Sequence, residues 1–358
     1  MRKQTKKRIE LVAFMVAAFA AISISGWTWA DTFTFVSPQK PGQGTSVWAD
    51  IVVKEMQKHM PDHKLRVKHL PGARDIPAFN EFEKELQYDD NVVMISHGGN
   101  GVSFLQESVD YNYANYDSIG LMNLNIIVGK KLDADLDNIK FKAKSGRVPD
   151  ALAMTMMVCG PMTYEEYKRC FDQKVTWVKG MSGGEARLAF KRGELNVTRE
   201  NPAAYKKHVK GDSSAEVWFH HGILQLDRSH NDDPNYRGFQ FEDLYKQRWG
   251  VSPSGNMYEA YKLVKSFRDG LQKALWVRKG NPNTEALRAA LRKVASSSES
   301  VAAIQKKVGK YDWVIGDDAN QMRDVLMTFI TEDALKTLVD FSSTSLSIPA
   351  IYKPQLVK

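Results

Sequence analysis

Gly180-Met181-Ser182-Gly183-Gly184 has the G-x-S-x-G spacing that lifts a serine onto a sharp strand-to-helix turn, where its hydroxyl can attack a carbonyl. His97-Gly98-Gly99, upstream, resembles the oxyanion segment that accompanies such an elbow. Histidine counts against this chemistry. The eight histidines are His59, His63, His69, His97, His208, His220, His221 and His230, so the last 128 residues hold none. In that arrangement the base follows the acid near the chain end. Here the downstream histidines all fall within 48 residues of Ser182. An exported serine hydrolase built on Ser182 is retained as the enzymatic alternative.

Other chemical spacings dissolve on inspection. Ser37-Pro38-Gln39-Lys40 matches S-x-x-K, and Lys144-Ser145-Gly146 resembles K-[ST]-G, but Pro41 and Gly42 break the helix that the first needs. Gly42-Gln43-Gly44 lacks the third glycine of a dinucleotide loop, with Val47 in its place, and no G-K-[ST] closes a P-loop. His220 and His221 are neighbours on a predicted strand and point to opposite faces. Two cysteines cannot make a zinc ribbon. No cofactor and no metal are expected.

A different chemistry recurs four times. Glycine- and serine-rich joints stand at Gln43-Gly44-Thr45-Ser46, His97-Gly98-Gly99-Asn100, Ser145-Gly146-Arg147 and Met181-Ser182-Gly183-Gly184. Three of them open helices, and the second follows the strand NVVMIS. Helix N-termini with unused N–H groups favour anions, and open α/β sheets gather ligands at the carboxyl ends of their strands. Arg147 sits inside the third joint, Lys40 borders the first and Arg199 follows LNVT. Of these, Arg147 is the best candidate, because a guanidinium fork engages a carboxylate in bidentate fashion.

The elements that would position these joints alternate along the chain. Period-2 or buried-run patterns predict strands at 32–36, 65–70, 91–96, 118–128, 175–178, 216–224 and 274–277. Helical periodicity predicts helices at 45–59, 76–86, 282–294 and 319–335. The βαβ rhythm argues for an α/β fold with substantially parallel sheets. Arg228–Gly238 (RSHNDDPNYRG) is turn-rich and is expected as a surface loop.

Length and charge set the remaining bounds. At 358 residues the chain suggests about two domains. Its net charge is +8, but residues 1–30 contribute five basic residues against Glu10 alone. The remainder holds 45 basic and 41 acidic residues, a net +4, which gives no electrostatic case for nucleic acid. Residues 1–30 run from MRKQTKKR through LVAFMVAAFAAISI to Thr28-Trp29-Ala30, the plan of a secretory signal peptide cleaved after Ala30. An uncleaved anchor is the alternative. Cys159 and Cys170 are the only cysteines, and either a disulfide or two buried thiols fits an exported chain.

Taken in order, the loops resemble those of the periplasmic solute receptors of tripartite tricarboxylate transporters, the Bug or TctC type. Pro41-Gly42-Gln43-Gly44-Thr45-Ser46 matches the family's P-G-G-x-x-D-like loop, with Ser46 replacing the acidic residue. His69-Leu70-Pro71-Gly72-Ala73-Arg74-Asp75 matches its N-R-P-G-A-G-G element, with Arg74-Asp75 replacing the glycine pair. Val92–Asn100, Tyr116–Gly120 and Lys144–Asp150 follow its next strand and loops, Val178–Asn196 its Y-K-G run, and Trp276–Pro282 its returning strand. Gly183-Gly184 stands where the family often has x-P.

The resemblance implies a two-domain periplasmic-binding-protein (Venus-flytrap) α/β fold with two interdomain crossovers. Domain 1 would comprise residues 31–128 plus 276–358, and domain 2 residues 129–275. It further implies a monomeric periplasmic receptor, not an enzyme, that delivers a small organic carboxylate to membrane permease subunits. A ligand-sensing accessory protein for a sensor kinase is the related alternative. The four joints and Arg199 would be the ligand-binding residues.

Overall fold

Phe33 and Phe35 alternate with Thr32 and Thr34 at the start of the described chain, and the phenylalanines vanish into the core of a sheet. The computed structural model describes residues 31–72, 76–99, 103–309 and 312–357. The expected signal peptide at 1–30, the Arg74-Asp75 departure and Asn100 lie outside these residues.

The first half of the sheet is built as the rhythm predicts. β1 (Thr32–Ser37) leads through α1 (Gly44–Gln57) to β2 (Lys64–His69), and α2 (Ile76–Lys84) leads to β3 (Val92–His97). β1 pairs with both β2 and β3 in parallel. β4 (Tyr116–Asn123) then leaves this region, and β5 (Ile127–Lys131) enters a second set of strands. The sequence reads 118–128 as one strand, because its apolar run is nearly continuous. Asn123 and Asn125 break it: their side-chain amides donate to Leu224 O and the Asp233 carboxylate, while Leu124 N–H donates to Asp269 O.

The second unit holds β6 (Ile139–Lys142), α3 (Val148–Cys159), α4 (Tyr164–Lys174), β7 (Val175–Val178), α5 (Gly183–Lys191) and β8 (Val197–Glu200). It continues with α6 (Pro202–His208), β9 (Ala215–His220), β10 (Ile223–Leu224), β11 (His230–Asn231), α7 (Phe241–Trp249) and α8 (Asn256–Gly270). β5 is antiparallel to β8 and β9, and β6 is parallel to β7. The predicted strand 216–224 divides into β9 and β10 at Gly222, whose φ of 77° is open to glycine at little cost. The stretch 228–238 is not simply a surface loop: β11 pairs with β10, and Asp233 is buried as the acceptor for Asn125 and Asn235. Cys159 and Cys170 form a disulfide joining the end of α3 to α4.

β12 (Lys273–Arg278) returns to the first sheet, followed by α9 (Thr284–Ser296), α10 (Ser298–Val308), β13 (Asp312–Ile315), α11 (Asp317–Met327) and α12 (Glu332–Thr344). The sheet order is β13-β4-β12-β3-β1-β2. β12 runs antiparallel to β3 and β4, so the sheet is mixed rather than substantially parallel. The predicted helix 319–335 is two helices, because the Thr331 hydroxyl accepts from Ala334 N–H and starts a new one. One core joins the β1–β3 strands to α1 and α9 through Trp48, Val52, Leu287 and Leu291. Another gathers α3, α8 and α12, and Phe171 of α4 meets Phe341 of α12 edge to face. No described helix is long and apolar enough to cross a membrane.

Candidate functional site

Because β12 is antiparallel to β3, its first residue lies beside the last residue of its neighbour: Lys273 pairs with His97. The carboxyl ends of β1 and β3 and the amino end of β12 therefore share one sheet edge. From the second unit, the carboxyl end of β6 and the start of α3 face the same space. A Cβ placed on Gly146 would stand 4.0 Å from Gly99 Cα, so the third and second joints meet there.

Between them lies a cleft of two connected lobes. One, of about 520 Å³, is lined by Lys142, Lys144, Arg147, Arg199, Arg268, Lys273 and Lys307, with Gly44, Thr45, His97, Gly99, Gly146 and Gly183 among its neutral residues. Among the described residues no carboxylate lines it. The adjoining lobe, about 740 Å³, is lined by Pro38, Lys40, Gln43, Pro71, Gly72, Ser103 and Ser145. Gln39, Gly44, His97, Gly99, Lys144 and Gly183 border both. A separate hollow of about 430 Å³ on the second unit mixes Lys131 and Lys191 with Asp133 and Asp135 and has no such one-sided charge.

The first joint is held by its own side chains. Gln39 Oε1 accepts from Thr45 N–H (3.1 Å), and Gln39 Nε2 lies 3.0 Å from His97 Nε2, tying the β1 and β3 loops together. Lys273 Nζ donates to Thr45 Oγ1 (2.8 Å). Ser46 turns away from the cleft: its buried hydroxyl donates toward Lys40 O (2.8 Å) and Gln39 O (3.0 Å), bracing the loop from within. At the second joint, a Cβ on Gly98 would stand 2.3 Å from Arg268 O and 2.4 Å from Gln272 Oε1. Only glycine lets the end of α8 come this near.

Of the fourth joint, Gly183 lines the cleft, whereas Met181 packs on the small core around Phe190. Gly184 has open space at its Cα and lines neither lobe. Ser182 Oγ accepts from Glu185 N–H, and the Glu185 carboxylate accepts from Ser182 N–H (2.6 Å), a reciprocal capping box. Ser182 thus caps α5, and among the described residues its hydroxyl meets no histidine.

The third joint carries the cations. Arg147 is buried with its guanidinium over the Phe141 ring, 5.0 Å from its centroid. Among the described residues it forms no ion pair. Burial, and then the neighbouring Arg199, push its pKa down. Arg199 donates to the Asp150 carboxylate (3.0 Å) and to Gly146 O (2.9 Å). Asp150 Oδ1 lies 3.3 Å from His221 Nε2, an ion-pair contact outside hydrogen-bond angles, and His221 Nδ1 lies 2.9 Å from Asp269 Oδ2. Asp269 in turn pairs with Arg268. A closed buried chain thus runs from one cleft arginine to another. Burial alone would raise Asp150, but Arg199 and His221 outweigh it and hold its carboxyl well below the usual carboxylate range. Burial likewise opposes charge on His221, yet its contacts with Asp150 and Asp269 prevail and raise its pKa.

The sequence pointed to Arg147, Arg199 and the glycine joints but missed Lys142, Arg268 and Lys273. Lys142 falls on the outward side of the Ile139/Phe141 alternation, yet it is buried because β6 ends at the cleft. Arg268-Asp269 sits in a helical stretch whose every residue from Leu263 to Gly270 is buried, and charges within such a stretch were the available signal.

No family model matches the sequence, and no curated protein matches it. Solved structures do. A TctC solute-binding protein from Polaromonas aligns with a TM-score of 0.57 at 13% identity, over 84% of this chain and 99% of that one. An R. palustris protein solved with adipate gives 0.54 at 10% identity, over 87% and 98%. The periplasmic binding protein BugD gives 0.52 at 13%, over 85% and 95%. The chain has the two-domain α/β fold of these periplasmic solute-binding proteins, as the order of its loops implied.

Proposed function

We propose that this chain is an extracytoplasmic receptor that captures a small organic carboxylate in the cleft and delivers it to a tripartite tricarboxylate-type permease. The carrying observation is Arg147, a buried guanidinium that faces a cleft without a carboxylate partner among the described residues. Asp150 and Glu200 act on Arg147 without forming an ion pair with it, and a buried cation so placed is costly; an anionic solute would supply a direct counter-charge. Backbone and hydroxyl groups of the glycine joints, chiefly around Gly44, Thr45, Gly99, Ser145, Gly146 and Gly183, would complete the shell. The unit of β1–β4 with β12–α12 and the unit of β5–α8 would form its walls; the boundaries expected at 128/129 and 275/276 fall inside β5 and β12, so the divisions move to 124–126 and 271–272. Residues 1–30 would send the chain to the periplasm, where it works as a monomer and as a binder rather than a catalyst.

A thermal-shift screen tests this reading. Organic acids should raise the melting temperature, because a ligand at about 100 times its Kd stabilises the native state by about 2.7 kcal/mol. A broad acid panel without effect, beside neutral sugars that shift the transition, would overturn it.

A further inference from the structure

We propose that the last stretch of the chain, from α12 to Lys353, is a strap across the two walls, and that its grip on the first unit sets how far the empty cleft opens. The strap concerns what governs the cleft rather than what the cleft holds. It rests on the receptor reading only for its effect on solute release.

The crossovers at 124–126 and 271–272 join the walls, and the end of the chain then spans them again. α11 stays with the first unit: Asn320 Oδ1 accepts from Ser118 N–H of β4 (2.8 Å), and Arg323 donates to Tyr116 O. The link after it leaves that unit. Phe329 is buried with the Arg228 guanidinium over its ring, 5.0 Å from the centroid, and with His230 of β11 beside it. α12 is then fixed to the second unit. The Asp340 carboxylate accepts from Tyr164 OH (2.7 Å) and from Lys168 Nζ (2.8 Å) on α4, and Phe341 meets Phe171 of the same helix. These contacts make α12 part of the second wall.

Beyond α12 the chain turns back. Ile348 N–H donates to Ser342 O (2.7 Å), Ser343 Oγ donates to Ala350 O (3.2 Å), and Lys336 lies over the Tyr352 ring, so residues 348–352 return along the helix. Ser347, at the bend, has a φ of 53°, a left-handed conformation that its neighbours must hold against the preference of a serine. Leu346 and Ile348 share a hollow with Lys144, Ser145 and Trp177, so the bend rests on the third joint. The strap then reaches the first unit. Ile351 N–H donates to Leu105 O (2.8 Å), and the buried Lys353 Nζ donates to Val109 O (2.9 Å). The loop that accepts them is tied to α2, where Asn80 donates to Ser108 O and accepts from Asp110 N–H. Phe104 at its start stacks on Phe267 of α8, so the strap ends where the walls already touch. Parting of the walls carries α12 and the third joint away from 105–109 and stretches these two hydrogen bonds. Two loop carbonyls are a weaker grip than an ion pair, a tyrosine and a ring pair, so the strap lets go at 351–353 while α12 stays in place.

Spin labels on cysteines placed at exposed Lys54 of α1 and exposed Leu188 of α5 read the spacing of the walls in ligand-free protein. Deleting residues 351–358 should lengthen the label distance and roughly double the share of widely spaced molecules. Lys353→Met, and Ile351→Pro, which removes the other donor, should each do the same to a smaller extent. The thermal transition should stay cooperative in all three, because α12 and its packing are untouched. Where the deletion prevents folding, the two single variants decide. Bound tricarballylate should leave the deletion variant about fivefold faster in stopped-flow dilution, since the closed form is less populated. Ligand-free distances that do not change in folded variants would overturn the strap, and continued acid binding would leave the receptor reading standing. Absence of binding by every acid would overturn the receptor reading instead, and the ligand-free distances would still decide the strap.

Discussion

Asp150 and His221 meet 3.3 Å apart at the base of the cleft, one on the first turn of α3 and the other just past β9. Both are fully buried. The pair joins elements distant in sequence, and Asp269 on α8 closes the other side of the ring at 2.9 Å. Phe219 stacks on the imidazole and Tyr261 meets its edge, so it has little freedom to leave.

Removing the imidazole should leave two buried carboxylates facing each other. His221→Gln is expected to cost about 3–5 kcal/mol, the range for breaking a buried charge pair. The pH dependence has a definite sign. The folded-state pKa of His221 lies above its unfolded value of 6.5, so its contribution is fully present below pH 6.5 and is lost as pH rises through the folded value. The groups acting on it are Asp150 on α3, Asp269 and Tyr261 on α8, Glu242 on α7, and the neighbouring His220 and His230. Urea titrations between pH 5 and 9 should show His221→Gln losing most at the acid end. A uniform loss across that range would contradict a charged His221.

How much of this was legible beforehand varies with what each residue depends on. The β1–α1–β2 and β3 elements follow from local alternation, and they lie within two residues of their expected ends because propensity and burial agree there. The glycine joints were found for the same reason: turn chemistry is local. Lys273 and Arg268 were not legible, because they reach the cleft only through the antiparallel insertion of β12 between β3 and β4. A rule that places ligands at strand carboxyl ends looks at the wrong end of that strand. Ser46 and Ser182 show the converse. Their types suit ligand binding, but the backbone around each supplies a nearer partner.

Lys142 should make ligand affinity depend on pH. Its free pKa is pushed down to about 8 by burial and then by Arg147 and Lys144, with Glu200 the opposing charge and Arg199 a further cation. An anion bound beside it would favour the charged form and raise that value. Binding then takes up a proton above pH 8, and affinity for tricarballylate should fall about tenfold from pH 7 to pH 9. Burial, and then Arg199, push Arg147 down to about 9 as well, so the lysine variant is what assigns the step. Titrations in two buffers of different ionisation enthalpy would report the proton uptake, and Lys142→Met should abolish it. An affinity flat across these pH values would exclude this role.

Ser182→Ala separates capping from catalysis. Loss of the side chain that accepts from Glu185 N–H should cost about 0.5–2 kcal/mol in urea unfolding. Ligand affinity should stay within about twofold, since Gly183 rather than Ser182 lines the cleft. Esterase activity present in the unsubstituted protein and absent from the variant would restore the hydrolase alternative.

The last expectation concerns how a solute reaches Arg147. Gly99 and Gly146 approach so closely that a methyl on the second would touch the first, and they belong to opposite walls of the cleft. A solute that contacts both walls favours the arrangement in which the loops meet, because only that arrangement makes both sets of contacts. Without it, the connections at 124–126 and 271–272 would let the walls part. Cysteines introduced at exposed Lys54 on α1 and exposed Leu188 on α5 would carry spin labels, and the native pair, being disulfide-bonded, would not compete for them. Saturating tricarballylate should shorten the label distance and narrow its distribution. Lys142→Gln should require a higher concentration to reach the same end point, because it weakens binding without altering the walls. A distance indifferent to ligand, in a protein that titration shows to be saturated, would mean a rigid cleft and would remove the opening motion from the receptor mechanism.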